Sequence, residues 1–208
     1  EQYFRKQMEL LTSAGFDALG IGSMEEPGFL REAGIELPMY FDQGMYSWNH
    51  LAGAAMERYG ADRLTIPVEL NEREIRDSGV QGEMIVYGYL PMMISAQCIR
   101  KTTLGCSGKS EIMWLKDRKD MRFPVVNQCR FCYNTIYNSA PLSLLGLSAS
   151  VEGLGPKALR LNFTVEEPAA AGEILDAFFE EYGMSEKAAE PPVLRNQFTR
   201  GHFKRGVE

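Results

Sequence analysis

The sequence predicts an α/β architecture, a parallel sheet covered by helices, and three observations carry that expectation. Short apolar runs alternate with helical patterns every 20 to 25 residues or so through the first 88 residues. Gly15, Gly34 and Gly60 stand where helical segments should stop. Asn71 followed by Glu74 forms a capping-box-like helix start. The alternation fits either a barrel or a doubly wound sheet. No Gly-x-Gly-x-x-Gly or P-loop follows any of the strands, so no nucleotide motif stands behind the sheet.

Taken in order, Gln2 to Ala14 places Phe4, Met8 and Leu11 at helical spacing. Phe16 to Ile21 is a buried strand, Glu25 to Ala33 a short helix, and Leu37 to Phe41 the second strand. Ser47 is placed to cap a helix from Trp48 to Tyr59. Arg63 to Val68 is the third strand, with Pro67 at its end because proline cannot donate to a ladder. A helix from Asn71 to Asp77 and a strand from Glu83 to Tyr87 follow. After Gly88 the rhythm breaks. Trp114 to Val125 reads as two strands around a charged turn, and Ala140 to Val151 as helical. Ala158 to Phe163 is the fifth strand and Glu167 to Tyr182 a strongly amphipathic helix. Ala188 to Pro192 has the composition of a linker, and Asn196 to Val207 forms a polar tail.

The chain has 208 residues, 45% of them hydrophobic and 24% charged, an ordinary globular composition. No apolar run nears the roughly 18 residues that would span a bilayer, so no membrane is expected. The net charge of −6 argues against general affinity for nucleic-acid backbone. Arg195, Arg200, Lys204 and Arg205 nonetheless make the last stretch basic. No signal peptide opens the chain, and a reducing cytoplasm is the expected compartment. The chain starts at Glu1 within a helical pattern, as expected of a piece of something longer.

All four cysteines, Cys98, Cys106, Cys129 and Cys132, fall within 35 residues. Seven residues separate the first two, twenty-two the next two, and two the last pair. Clustered thiols with a Cys-x-x-Cys pair point to a four-thiolate metal site, against the plainer readings of buried core cysteines or two disulfides. Structural zinc favours two close pairs. One close and one wide pair suits an iron–sulfur cluster better, because a cluster spreads its thiolates over a larger object. Arg100, Lys101 and Arg130 flank the thiols, either tuning them or standing as solvated loop charges.

Gly88-Tyr89-Leu90-Pro91-Met92-Met93-Ile94-Ser95-Ala96-Gln97-Cys98 resembles the signature region of the peptidase U32 family, the collagenase-like proteases. So does Cys129-x-x-Cys132 followed by Tyr133-Asn134-Thr135-Ile136-Tyr137-Asn138-Ser139. Leu64 to Leu70, Leu159 to Thr164 with Glu166, and Thr199 to Gly206 carry the likeness across nearly the whole chain. The resemblance implies a TIM-barrel-like fold of which this chain holds a half, about five parallel strands with helices and a cysteine-bearing insertion. The expected organisation is half-barrel βα units over 1–88, the four-cysteine segment over 89–140, and a C-terminal βα unit with its tail over 141–208. A half-barrel would look for its missing N-terminal half or for a second copy of itself. By its name the family implies peptide hydrolysis. Relatives also resemble iron–sulfur proteins that hydroxylate RNA bases or small aromatic quinone precursors. A [4Fe–4S] cluster is thus implied over zinc, and the substrate is a peptide, an RNA or a small aromatic, unless the chain is a non-catalytic domain whose metal is structural.

Peptide hydrolysis finds little in the residues themselves. The only histidines are His50, in a predicted helix, and His202, in the tail. No Gly-x-Ser-x-Gly or His-Glu-x-x-His is present, and no spacing rule supports pairing Cys98 with His202. Asp42 and Glu69 follow the second and third strands, which in a barrel places them at the catalytic face, with Tyr87 beside them. These three are the candidate catalytic residues. Asn49 and Glu166 are candidates for binding substrate there. Arg160 and Arg118 are candidates for a substrate carboxylate or phosphate, which a guanidinium reads bidentately. Tyr133 and Tyr137, with Asn134 and Asn138, fall four apart and form one face if helical, for substrate contact or for core packing.

Overall fold

The computed structural model describes residues 2–184 and 198–206. The predicted linker Ala188 to Pro192 and the basic Arg195 lie outside the described residues. The chain divides into two units. One comprises Glu1–Ile85, Ala149–Arg160 and Gly201–Glu208, the other Val86–Ser148 and Leu161–Arg200.

The first unit opens with α1 (Gln2–Ala14), β1 (Leu19–Ile21), α2 (Glu26–Glu32), β2 (Met39–Phe41), α3 (His50–Tyr59), β3 (Arg63–Leu64) and α4 (Glu72–Ser78). β1, β2 and β3 form a parallel sheet in that order, with Phe41 opposite both Ile21 and Leu64. These three side chains, with Leu30, Met45 and Val80, make a core over which Met8, Met39, Met56 and Tyr59 pack. Burying a side chain such as Ile21 or Phe41 contributes roughly 1.5–3 kcal/mol. Asn49, not the expected Ser47, caps α3: its Oδ1 accepts the Ala52 N–H at 2.9 Å. Ser47 is instead buried and donates to the Thr65 carbonyl at 3.2 Å. α3 ends at Gly60, whose φ of 116° suits a residue without Cβ. The capping box at α4 forms as its sequence predicts. Asn71 Oδ1 accepts from Glu74 N at 2.9 Å, and Asn71 N donates to Glu74 Oε2 at 2.8 Å.

β4 (Glu83–Gly88) begins in the first unit and ends in the second. It is the middle strand of a mixed three-stranded sheet with β9 (Leu142–Ser143) and β10 (Ala158–Asn162) on its flanks. β4 and β9 run antiparallel, with Tyr87 opposite Ser143. The second unit also holds a four-stranded antiparallel sheet, in the order β5 (Pro91–Ser95), β8 (Tyr133–Tyr137), β7 (Arg122–Gln128), β6 (Ile112–Lys116). A short helix α5 (Ile99–Thr103) follows β5. The hairpin expected around the charged turn is β6–β7. Its turn is held by Asp117 Oδ1, which accepts from Lys119 N at 2.8 Å and Met121 N at 2.9 Å. α6 (Ser148–Glu152) and α7 (Pro168–Glu181) complete the elements. Ile174 and Ala177 of α7 pack with Tyr87 and Leu145.

This overturns the expected partial TIM barrel of about five parallel strands. Only the first sheet is wholly parallel, the second is mixed and the third antiparallel, and no barrel closes among the described residues. The physical reason lies after Gly88. β6, β7 and β8 are joined by short turns, at residues 117–121 and 129–132, that leave no room for a crossover helix, so they pair antiparallel. Ala140 to Val151, expected to be helical throughout, holds the short β9 and reaches helix only at Ser148. No described helix is long and apolar enough to cross a membrane.

Candidate functional site

Two polar constellations stand out, one in each unit. In the first unit β2 and β3 are in register, and Thr65 bridges in parallel to Glu83. Asp42, Thr65, Glu83 and Arg160 therefore converge. Arg160 Nη1 donates to Asp42 Oδ1 at 2.7 Å, Nη2 to Thr65 Oγ1 at 2.9 Å, and Nε to Glu83 Oε1. Burial works against the Arg160 charge, but the Asp42 and Glu83 carboxylates outweigh it and raise its pKa. The guanidinium expected to read a substrate anion is thus occupied by two anions of its own chain. Asp42 is also committed, accepting from Gln43 N at 2.8 Å as the cap of a short 3-10 turn. Glu69 lies in the turn after β3, and its buried Oε2 accepts no hydrogen bond among the described residues. Asn49 is the α3 cap described above. The tail is tied down too. His202 Nδ1 sits 2.8 Å from the Gly206 carbonyl, and Lys204 pairs with Glu72 at 2.9 Å.

In the second unit Tyr87 is buried, with its ring 5.7 Å from Phe163. Burial, then the Glu166 carboxylate and Tyr89, push the Tyr87 hydroxyl well above the usual phenol range. Burial and Glu166 raise Tyr89 as well, and burial, Tyr133 and Glu166 raise Tyr137. Glu166 Oε2 accepts from Thr164 N at 2.6 Å and Val165 N at 3.0 Å, while its Oε1 is buried. Arg200 donates to the Ser143 and Leu145 carbonyls at 2.7 and 2.6 Å, so this tail cation is structural. Asn138 caps its own turn, accepting from Ser139 N at 2.8 Å. Arg118 stands exposed at the β6–β7 turn. Tyr133 to Tyr137 is a strand, not the helix considered from the spacing. Because four is an even number, the two tyrosines still share one face, with Asn134 on the alternate face and Asn138 beyond the strand's end.

The four cysteines are all free. Cys129 and Cys132 bound the β7–β8 turn, with Gln128 paired to Tyr133. Cys132 adopts a left-handed φ of 57° and its thiol donates to the Cys129 carbonyl at 3.8 Å. Cys98 caps α5, its Sγ accepting from Lys101 N at 3.5 Å. Burial raises the Cys129 thiol pKa, and so do Cys106, its hydrogen-bond partner, and then Cys98 and Cys132. All four thiols therefore share one neighbourhood. Even so, among the described residues no three His, Cys, Asp or Glu side chains are placed to hold a single metal ion.

Asn134, expected to touch substrate, is fully buried and donates through Nδ2 to the Gln97 carbonyl at 2.7 Å and the Ser95 carbonyl at 3.4 Å. Sequence reasoning missed Thr65, Glu83, Glu111 and Asn127. For Asn127 a signal existed: a buried amide after Val125 and Val126 in an apolar strand, two residues before a cysteine. The profile described as peptidase family U32 matches residues 2–172. The chain belongs to that family. No curated protein and no solved structure matches it. The family match spans both constellations and includes every cysteine.

Proposed function

We propose that this U32 family chain holds an iron–sulfur cluster on Cys98, Cys106, Cys129 and Cys132 and modifies bases of RNA. The observation that carries the reading is the company the thiols keep. The segment from Ser95 to Cys132 carries eight Lys and Arg against three Asp and Glu, a net of +5 in a chain of −6. Trp114 and Phe131 are exposed in the same segment. Cations interleaved with exposed aromatic rings suit a polyanion with stackable bases. Burial and the neighbouring cysteines raise the Cys129 thiol, and a cationic iron centre would favour its thiolate. When bound, such a cluster supplies electron transfer to an oxidant. The chain's own contribution would be to bind the backbone through Lys116, Arg118, Lys119 and Arg122 and to stack a base.

A small aromatic substrate would use the same cluster but has no need of the cationic sheet. Peptide hydrolysis, the activity in the family's name, has weaker support. His202 is engaged with Gly206 and His50 lies exposed at the start of α3, so neither is paired with a nucleophile in the described contacts. The test is anaerobic purification. A brown protein with a broad band at about 400 nm and about four irons per chain is expected, lost in Cys98→Ser and Cys129→Ser without unfolding. Anaerobic protein that is colourless with one tightly held zinc would overturn the cluster. Peptide cleavage by the reduced, metal-free protein would restore the hydrolytic reading.

A further inference from the structure

Asn127 and Asn134 face each other directly across β7 and β8, and both are fully buried. Opposed residues of an antiparallel pair project to the same face. Asn127 Oδ1 accepts from Glu111 N at 2.5 Å and its Nδ2 donates to the Lys109 carbonyl at 3.2 Å. It thereby holds the chain that follows Cys106. Asn134 Nδ2 holds the Ser95 and Gln97 carbonyls, just before Cys98. Cys129 lies two residues beyond Asn127 and Cys132 two residues before Asn134.

We infer that Asn127 and Asn134 are positioning residues that draw the Cys98 and Cys106 arms onto the Cys129–Cys132 turn before any metal arrives. The Cys106 loop is not fixed by a core of its own, since residues 101–112 are exposed throughout. Buried amide bonds substitute for that core, and a buried amide that loses its partners is costly to keep. A second tie joins the arms at the surface. Arg100 Nε donates to Glu111 Oε1 at 3.1 Å, and Ser107 Oγ donates to the same oxygen at 2.7 Å. Ser110 Oγ accepts from Cys129 N at 3.3 Å. The inference rests on the thiol-site reading above, but thiol approach can be measured without iron.

The test uses the full chain, reduced and metal-free, treated with diamide. Two thiol hydrogens pass to the N=N bond of diamide as a Cys106–Cys129 disulfide forms, and mass spectrometry follows the rate. Wild type should cross-link fast. Asn127→Ala and Asn134→Ala should slow it by about tenfold or more, and lower iron uptake by about 10–100-fold, the usual cost of losing an outer-shell support, while circular dichroism stays native. Wild-type cross-linking rates in both folded variants overturn the inference. Should the alanine variants unfold, Asn127→Asp and Asn134→Asp, which keep the side-chain size but lose the Nδ2 donor, carry the test, and wild-type rates there overturn it. Wild-type protein that cross-links fast but takes up no iron, with both asparagine variants slowed, supports positioning and sinks the cluster reading.

Discussion

The Arg160 cluster of the first unit and the cysteine cluster of the second differ in whether their members answer one another. Arg160 meets two carboxylates and a hydroxyl, so donors and acceptors are matched within the chain. The Cys129 thiol instead meets other thiols, which with burial raise its pKa. A matched polar cluster is architecture. The cysteine cluster brings like groups together, with Asn127 and Asn134 buried in the strands beside them.

The largest effect should come from breaking the second cluster. Cys98→Ser or Cys129→Ser should reduce iron binding by more than about 100-fold, beyond the usual outer-shell effect, and leave the metal-free fold intact, read by iron analysis and circular dichroism. Iron bound equally by both variants would erase the contrast. Next is Arg160→Met. It strands Asp42 and Glu83, and should cost about 2–3 kcal/mol after discounting for partial exposure. That should lower the urea midpoint of the first unit by roughly 1–2 M. Diamide cross-linking of the thiols should not change, and if it did the two clusters would not be independent.

Tyr87 sharpens the comparison through pH. Burial, then Glu166 and Tyr89, raise its pKa in the folded state. Its contribution is therefore fully present below the unfolded phenol value of about 10 and is lost as pH climbs through the folded value. Between pH 9 and 11 the urea midpoint of wild type should fall more than that of Tyr87→Phe. Equal falls would place the alkaline loss elsewhere. The smallest effect belongs to Arg118→Ala. It should change stability by less than about 0.5 kcal/mol and reduce the salt slope of RNA binding by about 1. An unchanged slope in this and the Lys119→Ala variant would remove the turn from the RNA surface.

Much of the first unit was legible because its signals are local. Gly60 and Asn71 with Glu74 act within one turn of helix, and the chain folds as they direct. The barrel was not legible, because closure depends on which strands pair across long loops, and periodicity does not encode that. Ser47 misled because a serine before a helix can either cap it or be drawn inward, as its bond to Thr65 shows. The cysteines were visible as a cluster from spacing. The asparagines that organise them were not, since Asn134 reads equally well as a surface amide until its strand and its partner carbonyls are known.

Cys132 has one further consequence. Its left-handed backbone is a conformation that glycine or asparagine takes readily and a cysteine adopts at a cost of order 1 kcal/mol or more. A chain optimised for stability alone would carry glycine there, and Cys132→Gly should unfold at a higher temperature than wild type. Random mutagenesis selected for heat resistance should therefore discard this thiol early, and selection for whatever the thiols do should bring it back.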